Sequence, residues 1–307
     1  MPPPDLAALL LSWELALRAE RKSPATVKAY GDAVRWLLAW CVSEPRPAVL
    51  DRPTVNGFVV GLLDGGAEAA TARARHLALR RFGAWLVEEG EVEVDAVRDT
   101  RPPTLDVKTV DPLTEAEVAA LVRACREGSP DFRDRRDSAV VRLMVETGMR
   151  AGEVVGLTVA DLDLDLDLDL AGGTVLVRRG KGGKARRVPV GAQTTRALDR
   201  YLRTRRSHRL AETEALWLGD RGTRWTYDAL HTSLAKQAAA AGVDGFRPHR
   251  LRHTAAHRWL AAGGSEGGLM AVAGWTRPDM LMRYTKARAE SGAADEARGL
   301  NLGDYGW

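Results

Sequence analysis

A chain of 307 residues is long enough for two domains, each with its own core, and its 45% hydrophobic and 28% charged content is that of a soluble globular protein. No apolar run approaches the roughly 20 residues of a bilayer span, and MPPPDLAALLLSW carries neither a basic leader nor a cleavage site, so neither a membrane span nor a signal peptide is expected. A formal net charge of +4 admits a polyanionic partner without demanding one, and two distant cysteines, Cys41 and Cys125, fit no metal-ligand spacing and read as free thiols of a cytosolic protein.

Helical spacing begins at once. Over residues 6–42 the clearest stretch is SPATVKAYGDAVRWLLAW: Ser23 is placed to cap, Pro24 takes the first helical position, and Val27, Tyr30, Val34, Leu37 and Leu38 form one stripe. A second long helix fits 67–89, where Leu77, Leu79, Phe82, Trp85 and Leu86 interleave with Arg73, Arg75, Arg80 and Arg81. These patterns predict an all-helical domain over 1–98. RDTRPPTLDVKTVDP, interrupted by Pro102, Pro103 and Pro112, predicts a linker over 99–112.

A second domain, 113–307, opens on Thr114 with Glu117 three residues later, a capping-box signature ahead of VAALVRAC, and helical pattern continues to Thr147. Between 161 and 190 the period drops to two, and TVLVRRGKGGKARRVPV reads as a hairpin turning at Gly182-Gly183. Helices return after Pro189 and run almost to the end. The domain is therefore mainly α with one small antiparallel sheet. Most of the basic excess lies after about residue 105, in runs such as RYLRTRRSHR, while the first third sets TARARHLALRR apart from the acidic EEGEVEVD. A basic run is a solvated face as readily as a nucleic-acid footprint, so charge alone does not decide.

Four constellations carry chemistry. In TGMRAGE, Gly148 permits a sharp turn, Arg150 opens a short helix and Glu153 shares its face. In GKGGKARRVP, Lys181 sits at the tip of a glycine-rich hairpin, without the P-loop pattern that phosphate cradling needs. In FRPHRLRHTAAHRWL, His249, His253 and His257 recur every four residues; no HExxH is present and arginines crowd the same turns, which disfavours a metal, whereas His249 and Arg252 face one point. In AGWTRPDMLMRYTKA, Trp275 and Tyr284 fall on successive helical pieces parted by Pro278. Each alone is commonplace.

Taken in order, Arg150, Lys181, His249 with Arg252, Trp275 and Tyr284, in the contexts TGxRxxE, GKG, HxxRH and GWxxxxMxxRY, resemble the tyrosine recombinase family of phage integrases and related site-specific recombinases. The likeness covers nearly the whole chain. It implies a SAM-like helical core-DNA-binding domain, then a mainly helical catalytic domain with a small three-stranded antiparallel sheet. It also implies a tail, about 288–307, that packs on a neighbouring protomer. Tyr284 would attack the scissile phosphate to give a 3′-phosphotyrosyl link and a free 5′-hydroxyl, and reversal by the partner strand would pass through a Holliday junction. Arg150 and Arg252 would hold the phosphorane-like transition state, where donors of this kind are worth roughly 3–4 kcal/mol each. Lys181 would protonate the leaving oxygen, with Lys184 as a rival. His249 would accept or relay the tyrosine proton, buttressed by Glu153, and Trp275 would donate to phosphate and pack.

The resemblance further implies double-stranded DNA at specific core sites, a homotetramer on two sites, an accessory directionality factor, no cofactor, no metal and a cytoplasmic, nucleoid-associated enzyme. Arg73, Arg75, Arg80, Lys184 and Arg250 are the candidate DNA contacts. Beginning directly on a core-binding domain, the chain is similar to simple recombinases without an arm-binding domain. A phage or mobile-element integrase is favoured over a Xer-like chromosome or plasmid dimer resolvase. A type IB topoisomerase-like enzyme and a non-catalytic DNA-binding protein are the other readings.

One stretch stands apart. DLDLDLDLDL, Asp161–Leu170, suits a metal-binding acid ladder, a half-buried strand or a tolerated copying accident. Against the family pattern, Leu157–Leu164 leads into the first strand and Asp165–Leu170 is excess. Alternation then puts every Leu on one face and every Asp on the other.

Overall fold

The structure, a computed structural model, describes residues 3–105, 111–126, 128–165, 172–178, 185–220 and 224–275. Two compact units divide the chain, Met1–Lys108 and Thr109–Trp307.

The first unit is four helices: α1 (Leu6–Ala19), α2 (Pro24–Ser43), α3 (Arg52–Asp64) and α4 (Ala69–Glu88). Three of them start on a side-chain oxygen. Asp5 accepts from the Ala7 and Ala8 amides, Ser23 from Thr26 with Pro24 behind it, and Asp51 from Thr54, each satisfying a donor the first turn would leave orphaned. Trp13, Val34, Leu37, Phe58, Leu79, Phe82 and Leu86 fill the core, with the Trp13 and Phe82 rings 4.8 Å apart. The stripe on α2 is buried at Val27, Val34 and Leu37 and half-buried at Tyr30 and Leu38. Leu77 departs from expectation: it is 42% exposed, because Ala78 and Leu79 occupy the inward positions of that turn.

The second unit begins with α5 (Glu115–Ala124), whose capping box forms as its sequence predicts: the Glu117 amide donates to Thr114 and the Thr114 amide to Glu117. The helical pattern does not run unbroken to Thr147. It stops at Cys125, Arg126 takes a left-handed φ of 44°, and Asp131 caps a new helix, α6 (Phe132–Thr147). A short α7 (Ala151–Val155) and a single 3-10 turn, Val159–Asp161, lead to the sheet. β1 (Leu162–Asp165), β2 (Gly172–Val177) and β3 (Arg186–Val190) are antiparallel in that order, with Leu162 opposite Val175 and Val175 opposite Val188. Among the described residues four more helices follow: α8 (Ala192–Arg205), α9 (Tyr227–Ala240), α10 (Pro248–Ala261) and α11 (Glu266–Ala273). The protein is thus mainly helical with one small three-stranded sheet.

The larger core centres on α6, with Val140, Leu143 and Met144 against Val175, Val188, Leu198, Tyr201 and Trp217. Burial pushes the Tyr201 hydroxyl up to about 12, so it stays protonated and donates to the Leu216 carbonyl. Two buried arginines organise loops. Arg136 pairs with Asp137 and Asp220 under the Trp225 ring. Arg205 donates to the carbonyls of Ala211, Thr213, Ala215 and Leu216, shaping the segment after α8 around one guanidinium.

The aspartate repeat divides. Asp161 is not on an exposed strand face: it is buried, accepts from the Thr158 amide and hydroxyl, and pairs with Arg178. Burial opposes its charge, but the Thr158 and Arg178 bonds prevail and hold the carboxyl below its ordinary value. Leu162 and Leu164 then pack on the core, while the Asp163 side chain is 82% exposed, 3.9 Å from Arg187. The alternation holds there. Residues 166–170 lie outside the described residues, as does the expected Gly182-Gly183 turn.

Candidate active site

The site is built where α6 ends. Gly148 terminates that helix in the left-handed region, φ 62°, and a Cβ on it would sit 3.2 Å from the Ala255 Cβ of α10. Glycine is therefore required twice, by dihedral and by close approach. The tight approach puts the Gly148 carbonyl against Arg252, whose Nη1 donates to it at 2.6 Å. Arg150 follows two residues on, as the N-cap of α7.

Arg252 is 2% exposed. Its Nη2 donates at 2.8 Å to the Ala273 carbonyl at the end of α11, and its guanidinium lies 5.3 Å from the Trp275 ring centre. One side chain therefore bridges the α6–α7 turn and the last turn of α11. Ser265 caps α11, and Gly274, left-handed at φ 65°, ends it, so that Trp275 folds back with its amide on the Met270 carbonyl. Trp275 is buried with Ala256, Leu260, Leu269 and Ala273, a small cluster apart from the main core.

Arg150 caps α7 and its side chain is 30% exposed. Glu153 accepts from the Arg150 amide at 2.9 Å and from Arg150 Nη1 at 3.0 Å. Its further partner was not foreseen. Arg186, the first residue of β3, grips the same carboxylate with Nη1 at 3.1 Å and Nη2 at 2.9 Å. Glu153 is thus shared by two arginines. Burial raises the cost of its charge, yet the Arg186 fork and the Arg150 amide more than compensate and hold its carboxyl below the usual value. A signal for Arg186 was present: in β3 it shares a face with Val188 and Val190, both buried, so a guanidinium at a core-facing strand position needs an internal anion.

His249 is exposed on the first turn of α10, its ring 4.7 Å from and edge-on to His253; burial depresses the pKa of His257, one turn further on. Among the described residues no group of three His, Cys, Asp or Glu side chains is placed to hold a metal ion. Lys181, Lys184 and Tyr284 lie outside the described residues.

The candidate DNA contacts fare unevenly. Arg73 donates to the Pro103 carbonyl at 2.8 Å, and Arg75 stacks 4.7 Å from the Trp36 ring. Arg250 donates to the Asp111 and Asp244 carbonyls. These three spend donors or ring contacts within their own unit. Arg80 is half-buried near His76, and with Arg73 it adds to the burial that depresses the pKa of that imidazole.

Residues 112–291 match the model of the phage integrase family. A tyrosine recombinase XerC from Methylobacterium nodulans is 30% identical, over 92% of this chain and 89% of its own. A tyrosine recombinase XerD from Mycobacterium tuberculosis is 37% identical, over 68% and 69%. Among solved structures, a lambda integrase tetramer bound to a Holliday junction shares the fold, with TM-score 0.68 and 18% identity, covering 92% of this chain and 78% of that one. No helix of the described residues is long and apolar enough to cross a membrane.

Proposed function

The chain belongs to the phage integrase family of tyrosine recombinases, enzymes of site-specific recombination, and from that premise we propose that Tyr284 cleaves DNA covalently in a pocket whose fixed charge comes from Arg150 and Arg252. The observation that carries the assignment is the bridge made by Arg252. It binds Gly148 O and Ala273 O at once, and so brings the arginine-bearing turn to the backbone that runs on towards Tyr284. Attack on a phosphodiester adds negative charge to the non-bridging oxygens, and two guanidiniums that cannot lose their protons meet that charge without reorganising. Lys181 serves as general acid to the departing 5′-oxygen, and His249 takes the tyrosine proton. Glu153 holds Arg150 in its rotamer. Trp275 packs under Arg252 and donates to phosphate through its indole N–H.

The unit before residue 99 grips the duplex, with Arg80 among its phosphate contacts. Four copies on two sites carry out exchange in the cytoplasm, a count supported by the lambda integrase tetramer bound to a Holliday junction. A phage or mobile-element integrase is the favoured role; the Xer relatives keep dimer resolution as the second.

The test is a nicked suicide duplex made from sequences that the protein retains out of a randomised pool, incubated with EDTA. A covalent complex that disappears in Tyr284→Phe is expected, with Holliday junctions when paired intact sites are supplied. Absence of any covalent complex on a retained duplex overturns the cleavage assignment, and a complex surviving in Tyr284→Phe overturns the choice of nucleophile.

A further inference from the structure

We infer that Arg186 is a positioning residue of the recombination site, cancelling the charge of Glu153 so that the charge of Arg150 stays available to the scissile phosphate. The inference rests on the reading of Arg150 as a phosphate ligand.

The argument starts from counting charge. Glu153 and Arg150 alone would make a neutral pair, because the carboxylate takes both the Arg150 amide and its Nη1. A neutral pair offers little to a phosphate that is gaining negative charge. Arg186 alters the balance by forking onto both carboxylate oxygens, at 3.1 and 2.9 Å. The three side chains then carry one net positive charge. Exposure says where that charge resides: the Arg186 and Glu153 side chains are 12% and 6% exposed, Arg150 30%. The inner pair is a buried, bidentate ion pair, and the outer guanidinium reaches solvent, where DNA would arrive.

A second contact gives Arg186 its reach. Its Nε donates at 2.9 Å to the Val272 carbonyl of α11, one residue before the carbonyl that Arg252 binds. The approach is close enough that a Cβ on Gly274 would fall 2.8 Å from the Arg186 Cζ, so only glycine admits the guanidinium there. Arg186 also opens β3 directly after the segment that carries Lys181 and Lys184. One side chain therefore joins the strand that follows Lys181 and Lys184 in sequence, the Glu153 carboxylate that holds Arg150, and the backbone that leads to Tyr284.

A purely structural ion pair and a charge-balancing one give opposite signs in a double variant. The measurement is single-turnover cleavage of the nicked suicide duplex described above, at saturating protein, for Arg186→Met, Glu153→Gln, the double variant and Arg186→Lys, with a thermal melt of each. Arg186→Met is expected to slow cleavage at least 30-fold, since it leaves Glu153 free to neutralise Arg150. Adding Glu153→Gln removes the offending charge while keeping an acceptor for the Arg150 amide. It is expected to restore at least tenfold of that loss without raising the melting temperature. Arg186→Lys, which keeps the charge and loses the fork, is expected to stay within about tenfold of wild type.

A double variant as slow as Arg186→Met or slower, with rates that track melting temperature, overturns the inference, as does wild-type cleavage by Arg186→Met. Arg150→Ala is the control that separates the two layers. If it cleaves like wild type, the reading of the site fails; if it is inactive while the double variant shows no recovery, only the role of Arg186 fails.

Discussion

Gly148→Ala tests how tightly the α6–α7 turn is specified. At φ 62° an alanine occupies a region that costs about 1–2 kcal/mol for a residue with a Cβ. Its Cβ would also stand 3.2 Å from that of Ala255, so α10 must yield by a few tenths of an ångström. For a unit of this size each kcal/mol lowers the melting temperature by about 2–4 °C, which gives a fall of about 2–8 °C. The protein remains folded at assay temperature. Cleavage falls further, because the displaced atoms belong to the turn whose carbonyl fixes Arg252, and a 1 Å misplacement in a site costs about 100-fold. A shift of a few tenths therefore predicts about a tenfold loss. Thermal unfolding and single-turnover cleavage measure the two effects. Gly148→Asn, which tolerates the left-handed region but carries the same Cβ, should recover much of the stability and little of the rate. Unchanged melting in Gly148→Ala, or equal rates for alanine and wild type, would refute the reasoning.

Three further outcomes are expected. Trp275→Phe keeps the packing under Arg252 and loses only an N–H, so it should cost less cleavage than Arg150→Ala; equal losses would sink the packing role. Deleting Asp165–Leu170 leaves Leu164 opposite Gly173 with Ala171 and Gly172 as a two-residue connection, a length antiparallel hairpins favour. The shortened protein should fold and cleave, and loss of the circular-dichroism melt or of covalent complex would count against it. His76, fully buried and bonded to Thr100, has a folded pKa below its ordinary 6.5. Its contribution to stability is complete above pH 6.5 and declines as pH falls through the folded value. His76→Gln should flatten that part of the melting-temperature profile, and an undiminished slope would assign the effect elsewhere.

Much of this architecture was legible from local chemistry. Ser23 with Pro24, and Thr114 with Glu117, act through neighbours three residues away, so sequence spacing carries their full information. The ordered arginines, lysine, histidine and tyrosine are candidates through resemblance, and of these Lys181 and Tyr284 lie outside the described residues. What escaped depends on partners distant in the chain. Glu153 pairs with Arg186, 33 residues on, and no local rule chooses between that arginine and His249. Arg73 and Arg250 donate to the carbonyls of Pro103 and Asp111, partners 30 and 139 residues away that local spacing does not name. The break after Cys125 was hidden because apolar spacing continues across it, and only Arg126 in a left-handed conformation marks the stop.

The helix α11 has a further consequence for local unfolding. It is eight residues long and carries Gly267 and Gly268, each costing about 1 kcal/mol against alanine, so its own hydrogen bonds do little to hold it. It packs in a satellite cluster, and its last carbonyls rest on Arg186 and Arg252. Its opening free energy therefore belongs to those two guanidiniums more than to its own sequence. Amide hydrogen exchange at Leu269–Gly274 should be faster than in α6 or α10. Each of those amides becomes a spectroscopic gauge of whether the two arginines are in place.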